Sequence, residues 1–213
     1  KATREHPIFF KWFQLPKNIE LISDYDDIIE SVDLLILAIP AQSIRNAVSW
    51  FNQKLHSGIT ILNLAKWIDI QSNQTISHVL KDSLSPLDFN YAVLSWWMIA
   101  QELVEGKKLW ADLWIEDVEI WEKIKNLFES ENLDIKIQKD VVNIELYGSF
   151  KNIMAILVGY YEWKGEWFST IWYYLASFVV ELKELILLYW WSENIDFSYY
   201  SFGWDLVATC FWD

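Results

Sequence analysis

Three residues of this sequence are of a type and setting suited to proton transfer. Lys151 sits in the run Glu145-Leu146-Tyr147-Gly148-Ser149-Phe150-Lys151-Asn152-Ile153-Met154, which is apolar on nearly every helical face. Burying an unpaired ammonium is costly, and burial lowers its pKa toward a value useful for moving protons. A lysine whose stem is buried and whose charge reaches water explains the same pattern. Lys66 directly follows an apolar run, at the carboxyl end where ligands collect in open α/β sheets. A surface lysine at a strand end is just as ordinary. Asp205, within Gly203-Trp204-Asp205-Leu206-Val207-Ala208-Thr209-Cys210, could orient a lysine ammonium or cap a helix.

These residues need elements to hold them. Leu34 to Ile39 is short, apolar and stopped by Pro40, which fits a strand buried on both faces of a parallel sheet. Ala41 to Phe51 then reads as a helix. Ile59 to Leu64 and Tyr91 to Ser95 read as further strands, with Thr75 to Leu80 helical between them. Alternation at this spacing is the signature of βαβ units. Glu116 to Glu131 follows as an amphipathic helix and Asp134 to Gln138 as a last strand. After Asp140, a plausible N-cap, the period changes: Leu146, Phe150, Ile153, Met154, Leu157 and Val158 recur at helical spacing. Helices continue through about Leu188. The expected fold class is α/β, a Rossmann-like parallel sheet domain over 1–139 with its first βα unit missing, then an all-α domain over 140–213.

Composition narrows the function classes. With 17 basic and 30 acidic side chains the net charge is -13, which repels nucleic acid and anionic membrane, so neither is expected as a partner. The longest uncharged apolar stretch, Trp167 to Val180, is too short to span a bilayer. The start has no signal-peptide character and reads as an internal cut. Cys210 is the single cysteine, and His6, His56 and His78 match no metal spacing, so a reduced cytoplasmic setting and no metal are expected. Average usage of roughly 7% glycine would give about 15 in this length. The chain has 6 glycines and 15 tryptophans instead. Trp67, Trp96, Trp190 and Trp204 stand where turns or close approaches favour glycine.

Taken in order and spacing, four segments resemble NAD(P)-dependent glycerol-3-phosphate dehydrogenase. Asn63-Leu64-Ala65-Lys66-Trp67-Ile68-Asp69 is similar to the family's strand-end Lys-Gly segment, with tryptophan for glycine. Ser95-Trp96-Trp97-Met98-Ile99-Ala100, with Glu102, resembles its substrate and cofactor loop. Glu145 to Asn152 resembles its catalytic-lysine helix, and Gly203 to Cys210 its Gly-x-Gly-Asp-Leu-x-x-Thr-Cys segment. The resemblance runs from about Pro16 to the end.

It implies hydride transfer between glycerol 3-phosphate and dihydroxyacetone phosphate with NAD or NADP, feeding phospholipid synthesis. Lys151 would be proton acceptor and donor, Lys66 would bind cofactor and substrate, and Asp205 would hold Lys151. Trp96, Met98, Asn152 and Thr209 would take substrate-lining positions, and Pro40 and Ala100 cofactor positions. A small-molecule substrate is the implied partner, and a homodimer is admitted.

Three departures predict an inactive chain. No Gly-x-Gly-x-x-Gly occurs among glycines 58, 106, 148, 159, 165 and 203, so the pyrophosphate lacks its helix N-terminus. The sequence ends before the family's phosphate-gripping arginine. Trp96 and Met98 would crowd the substrate pocket. A related hydroxy-acid dehydrogenase and a non-catalytic, tryptophan-rich interaction module are the other readings.

Overall fold

In the computed structural model the described residues are Arg4, Glu5, Phe10, 12–23, Asp26, 28–97, 100–189, Tyr199, Phe202, Leu206 and Cys210, the side chains of Trp96 and Trp97 excepted. Met98, Trp190, Trp204, Asp205 and Thr209, all singled out above, lie outside them.

The expected alternation is present as β1 (Leu34–Leu37), α1 (Ala41–Phe51), β2 (Ile59–Asn63), α2 (Ile76–Leu84) and β3 (Phe89–Trp97). β1 pairs with β2, and β2 with β3, all parallel. Every residue of β2 is buried, the polar Thr60 and Asn63 included, as its place between β1 and β3 requires. β1 differs from expectation. It lies at one end of the strand order, and Ile36 on its outer side is 42% exposed.

The next strand was not expected. After α3 (Ala100–Val104) the chain turns at Gly106, where φ is +73°, and enters β4 (Leu109–Ile115). β4 runs antiparallel to β3, with Ser95 opposite Asp112. A turn at Val118–Ile120 and helix α4 (Trp121–Phe128) lead to β5 (Leu133–Ile137), parallel to β4. The sheet order is β1-β2-β3-β4-β5, mostly but not wholly parallel. Asp112 hides β4 from a reading of apolar runs, because a carboxylate interrupts the strand at a fully buried position. Gln138 satisfies it by donating from Nε2 to its Oδ1.

Asp140 starts α5 (Val141–Trp163) as expected: its Oδ1 accepts from Val142 N at 2.9 Å and Asn143 N at 3.2 Å. The expected apolar stripe holds only in part. Leu146, Met154 and Val158 are buried, Phe150 and Leu157 half-buried, and Ile153 is exposed. From Asn143 to Ser149 every residue is buried; this part of the helix packs on β3 and β4, and Tyr199 and Phe202 meet it from another side. The Tyr147 ring meets Phe202 at 4.8 Å and Tyr199 at 5.5 Å between centroids. Helix α6 (Phe168–Tyr189) returns along α5 after a turn at Gly165, with Tyr174 stacked on Tyr161 at 4.2 Å. Among the described residues α5 alone is long and apolar enough to cross a membrane. Its packing on the sheet, with Glu145 and Lys151 on the buried face, is that of a core helix.

The tryptophans bear on the backbone at one described position. Trp67 holds φ at +140°, a region that L side chains rarely enter and glycine enters freely. Trp96, expected in a tight turn or at a close backbone approach, lies in no turn but within β3, opposite Ala111.

Two outcomes follow for stability. Trp67→Gly removes strain of about 1–3 kcal/mol and adds about 0.5–1 kcal/mol of unfolded-chain entropy, so it should raise stability in urea titration by about 1 kcal/mol; a loss of stability would mean that indole packing outweighs strain. Asp140→Ala leaves two amides uncapped and should cost about 1 kcal/mol in the same measurement.

Candidate functional site

A cleft of about 530 Å³ opens at the carboxyl ends of β1 and β2. Pro40, Ala41 and Gln42 form the side belonging to β1, and Lys66, Trp67 and Ile70 the side belonging to β2. Gln42 ties the two together: its Nε2 donates to Ile68 O at 2.8 Å, and its Oε1 accepts from Ile70 N at 3.0 Å. The far loop is braced by Asp69, which accepts from Arg45 Nη2 at 2.9 Å and from Ser72 N and Oγ at 3.0 and 2.7 Å. Burial pushes the Asp69 carboxyl up, but the bonds from Ser72 and Arg45 outweigh it and hold the pKa below its ordinary value.

The cleft suits part of a dinucleotide. Its volume lies within the usual range for ligand pockets. The first turn of α1 opens into it with no side-chain cap on its amides, and Lys66 lines the same cleft. Trp67 stands in the wall, half exposed, where its indole takes space beside both.

Lys66 reaches from this cleft to α5. A Cβ built on Gly148 would lie 3.4 Å from Lys66 Cγ, 3.5 Å from its Cδ and 3.5 Å from Ser95 Oγ. The lysine stem thus lies across the one residue of this turn without a side chain. Ser95 is buried at the same junction, and its Oγ has no hydrogen-bond partner among the described residues. Lys151, one turn further along α5, is buried, and Asn152 beside it is half-buried. Cys210 ends the fourth resembling segment. Its thiol is raised to about 11, by burial first and then by the Glu162 charge, while the Lys151 charge pulls it down. That segment therefore ends within electrostatic reach of Lys151. Pro40 and Lys66 share the cleft, whereas Ala100 is exposed at the start of α3 and contributes no wall to it.

One group at the centre of this arrangement was quoted above without a role. Glu145 is buried, and Oε1 accepts from Ser77 N at 2.9 Å and from Tyr91 Oη at 2.7 Å, while Oε2 accepts from Ser77 Oγ at 2.6 Å. Burial raises its pKa, and the bonds from Ser77, Tyr91 and Thr75 only partly oppose that rise. Tyr91 is raised well above its ordinary value, by burial and then by the Glu145 charge. Glu145, like Lys151 six residues later, is a charged residue in an apolar helical run. Its partners Ser77 and Tyr91, and Asn63 which donates to Tyr91, give no comparable signal, being ordinary residues of three separate segments.

Comparison with known proteins gives a consistent picture. Residues 1–130 match the family model described as NAD-dependent glycerol-3-phosphate dehydrogenase N-terminus. The glycerol-3-phosphate dehydrogenase [NAD(P)+] of Clostridium perfringens is 25% identical over 209 residues, 98% of this chain and 62% of that protein. That of Chlorobium phaeobacteroides is 27% identical over 211 residues, 99% of this chain and 63% of the relative. The chain thus spans somewhat under two thirds of the length of these curated relatives. The crystal structure of the Coxiella burnetii glycerol-3-phosphate dehydrogenase superposes with a TM-score of 0.88 at 16% identity, covering 98% of this chain and 63% of that one. That of the Plasmodium falciparum enzyme gives 0.89 at 20% identity, covering 97% and 58%. At such identities the superpositions establish the fold alone, a Rossmann-like sheet followed by long helices. The match over residues 1–130 carries the assignment: the chain belongs to the NAD-dependent glycerol-3-phosphate dehydrogenase family.

Proposed function

We propose that this chain is the portion of an NAD(P)-dependent glycerol-3-phosphate dehydrogenase that carries Lys66 and Lys151, interconverting sn-glycerol 3-phosphate and dihydroxyacetone phosphate in the cytoplasm. The observation that supports it is the meeting of Lys66 with Gly148, one helical turn before the buried Lys151. Three residues of helix advance about 4.5 Å. A lysine stem that crosses α5 at Gly148 and a second lysine one turn further along that helix can serve a single oxygen atom of a small substrate.

The nicotinamide, when bound, supplies the hydride that adds to C2 of dihydroxyacetone phosphate. Lys151 delivers a proton to the C2 oxygen as the C–O double bond becomes single, and in the reverse direction takes that proton back. Lys66 neutralises negative charge gathering on the oxygen and on the ligand phosphates. By the resemblance, Asp205 would hold the Lys151 ammonium, and Asn152 and Thr209 would line the substrate. By the same resemblance, Trp96 and Met98 would take substrate-loop positions, Ala100 a position near the nicotinamide and Pro40 one near the rest of the cofactor. NAD and NADP both remain compatible with the cleft. The helical segment after Asp140 forms the substrate domain in this reading, and 1–139 the cofactor domain.

Two measurements test the reading. The 213-residue chain alone should give no detectable NADH binding by calorimetry, since it has no Gly-x-Gly-x-x-Gly and Trp67 narrows the cleft. Micromolar binding would reveal a cofactor site of another kind. The positive arm is a fusion in which these residues, with Trp67→Gly and Trp96→Gly, replace the matching segment of the Clostridium perfringens relative. It should oxidise NADH with dihydroxyacetone phosphate, and Lys151→Met should lower kcat by about 10²- to 10⁴-fold, the usual contribution of general acid–base catalysis. A fusion whose kcat ignores Lys151→Met overturns the role given to that lysine.

A further inference from the structure

Lys66 is approached by two parts of the protein that are remote in sequence. The backbone entering it is gripped by Asn63, the last residue of β2. Asn63 Oδ1 accepts from Ala65 N at 2.9 Å, and its Nδ2 donates to Ala65 O at 3.3 Å and to Tyr91 Oη at 3.1 Å. The stem of Lys66 rests on α5 at Gly148, where no side chain stands between the helix and the lysine. Glu145 controls both. Its carboxyl group accepts from Tyr91 Oη on one side and from the Ser77 amide and hydroxyl on the other, and it lies three residues before Gly148 on the same helical face. Any rotation or slide of α5 that moved Gly148 would therefore also pull on Tyr91, and through it on Asn63 and the loop.

We infer that Glu145, acting through Tyr91 and Asn63, is a positioning residue for Lys66, holding the loop after β2 and the Gly148 surface in one register so that the ammonium is presented to the cleft. The inference rests on the reading of Lys66 as a ligand-binding cation for its functional meaning, but not for its test. Glu145 touches neither cleft nor ligand, and its effect passes entirely through neighbours. The bond from Tyr91 is the weak point of the chain of contacts, since one oxygen atom joins α5 to Asn63. Removing that atom leaves the aromatic ring in its place beside Trp114, whose centroid is 6.2 Å away.

The experiment uses the whole chain without ligand. The rate of amine acetylation by acetic anhydride is followed at each lysine by peptide mass spectrometry across a pH series, with the exposed Lys123 as internal reference. Tyr91→Phe and Glu145→Gln are compared with wild type and with Val93→Ala, a buried truncation on the same strand that lies opposite Asn63 in the sheet but contributes no side-chain hydrogen bond to the chain of contacts. Both network variants should change the Lys66 rate relative to Lys123 by about threefold or more, as expected for losing one net hydrogen bond, and should shift its pH midpoint. Val93→Ala should change neither. Should Glu145→Gln fail to fold, Tyr91→Phe decides alone. An unchanged Lys66 ratio in Tyr91→Phe, or an equal change in Val93→Ala, overturns the inference. A chain that shows the expected labelling while the fusion shows no dehydrogenase activity upholds the positioning role and removes the proposed reaction, so the two failures are separable.

Discussion

A carboxyl group buried beneath the first turn of a helix to which it does not belong governs how this molecule is assembled. α2 begins after Thr75, whose side chain forms no cap bond to the helix amides. Glu145, 68 residues away in α5, accepts from the Ser77 amide instead. Burial of a carboxylate is expensive unless its lone pairs are filled. Here three donors and the positive end of α2 fill them, yet burial still dominates enough to raise the pKa. A group held at that cost tolerates little displacement, because losing any one donor leaves a charge or a polar oxygen without compensation. The consequence is a fixed relation between α2, β3 and α5.

That relation explains why α5 has two characters along its length. From Asn143 to Lys151 it is buried but for the half-buried Phe150, wedged between the sheet and the rings of Tyr199 and Phe202. Beyond Lys151 the buried residues retreat to Met154 and Val158, and large apolar side chains such as Ile156 and Trp163 face outward. The chemistry-bearing residues all fall in the first part. Gly148 is the point at which the Lys66 stem crosses the helix. Alanine would only meet that stem at ordinary contact distance, whereas a longer side chain would fill the space the lysine occupies.

Trp67 is the place where local and global preferences disagree. The loop needs a residue at positive φ between Lys66 and Gln42's contact at Ile68, and the residue present is the bulkiest one available. Backbone strain and occupied volume fall together on the wall of the cleft. Natural chains accept strain where function demands it, but here the strained residue narrows the site. Trp67 therefore counts against cofactor entry, even as the lysine before it and the helix N-terminus opposite favour anion binding.

Much of this architecture was legible along the chain. The apolar runs of β2 and β3, the bounds of α1 and the cap at Asp140 follow from local physics: burial on both faces, helical period and a side-chain acceptor for exposed amides. Lys66 and Lys151 stood out because a cation beside or within apolar sequence needs an explanation. β4 was hidden because Asp112 breaks its apolar run, and the break is acceptable only when Gln138, far along the chain, supplies a donor. Strand direction was equally invisible, for nothing in the residues of β4 states that it runs against β3. The meeting of Lys66 with Gly148, and the bonds that join Asn63, Tyr91, Ser77 and Glu145, belong to the tertiary structure alone. A hydrogen bond between residues in four separate elements leaves no period or spacing in sequence. It exists because packing α5 on the sheet brings a buried acceptor to donors that would otherwise have none.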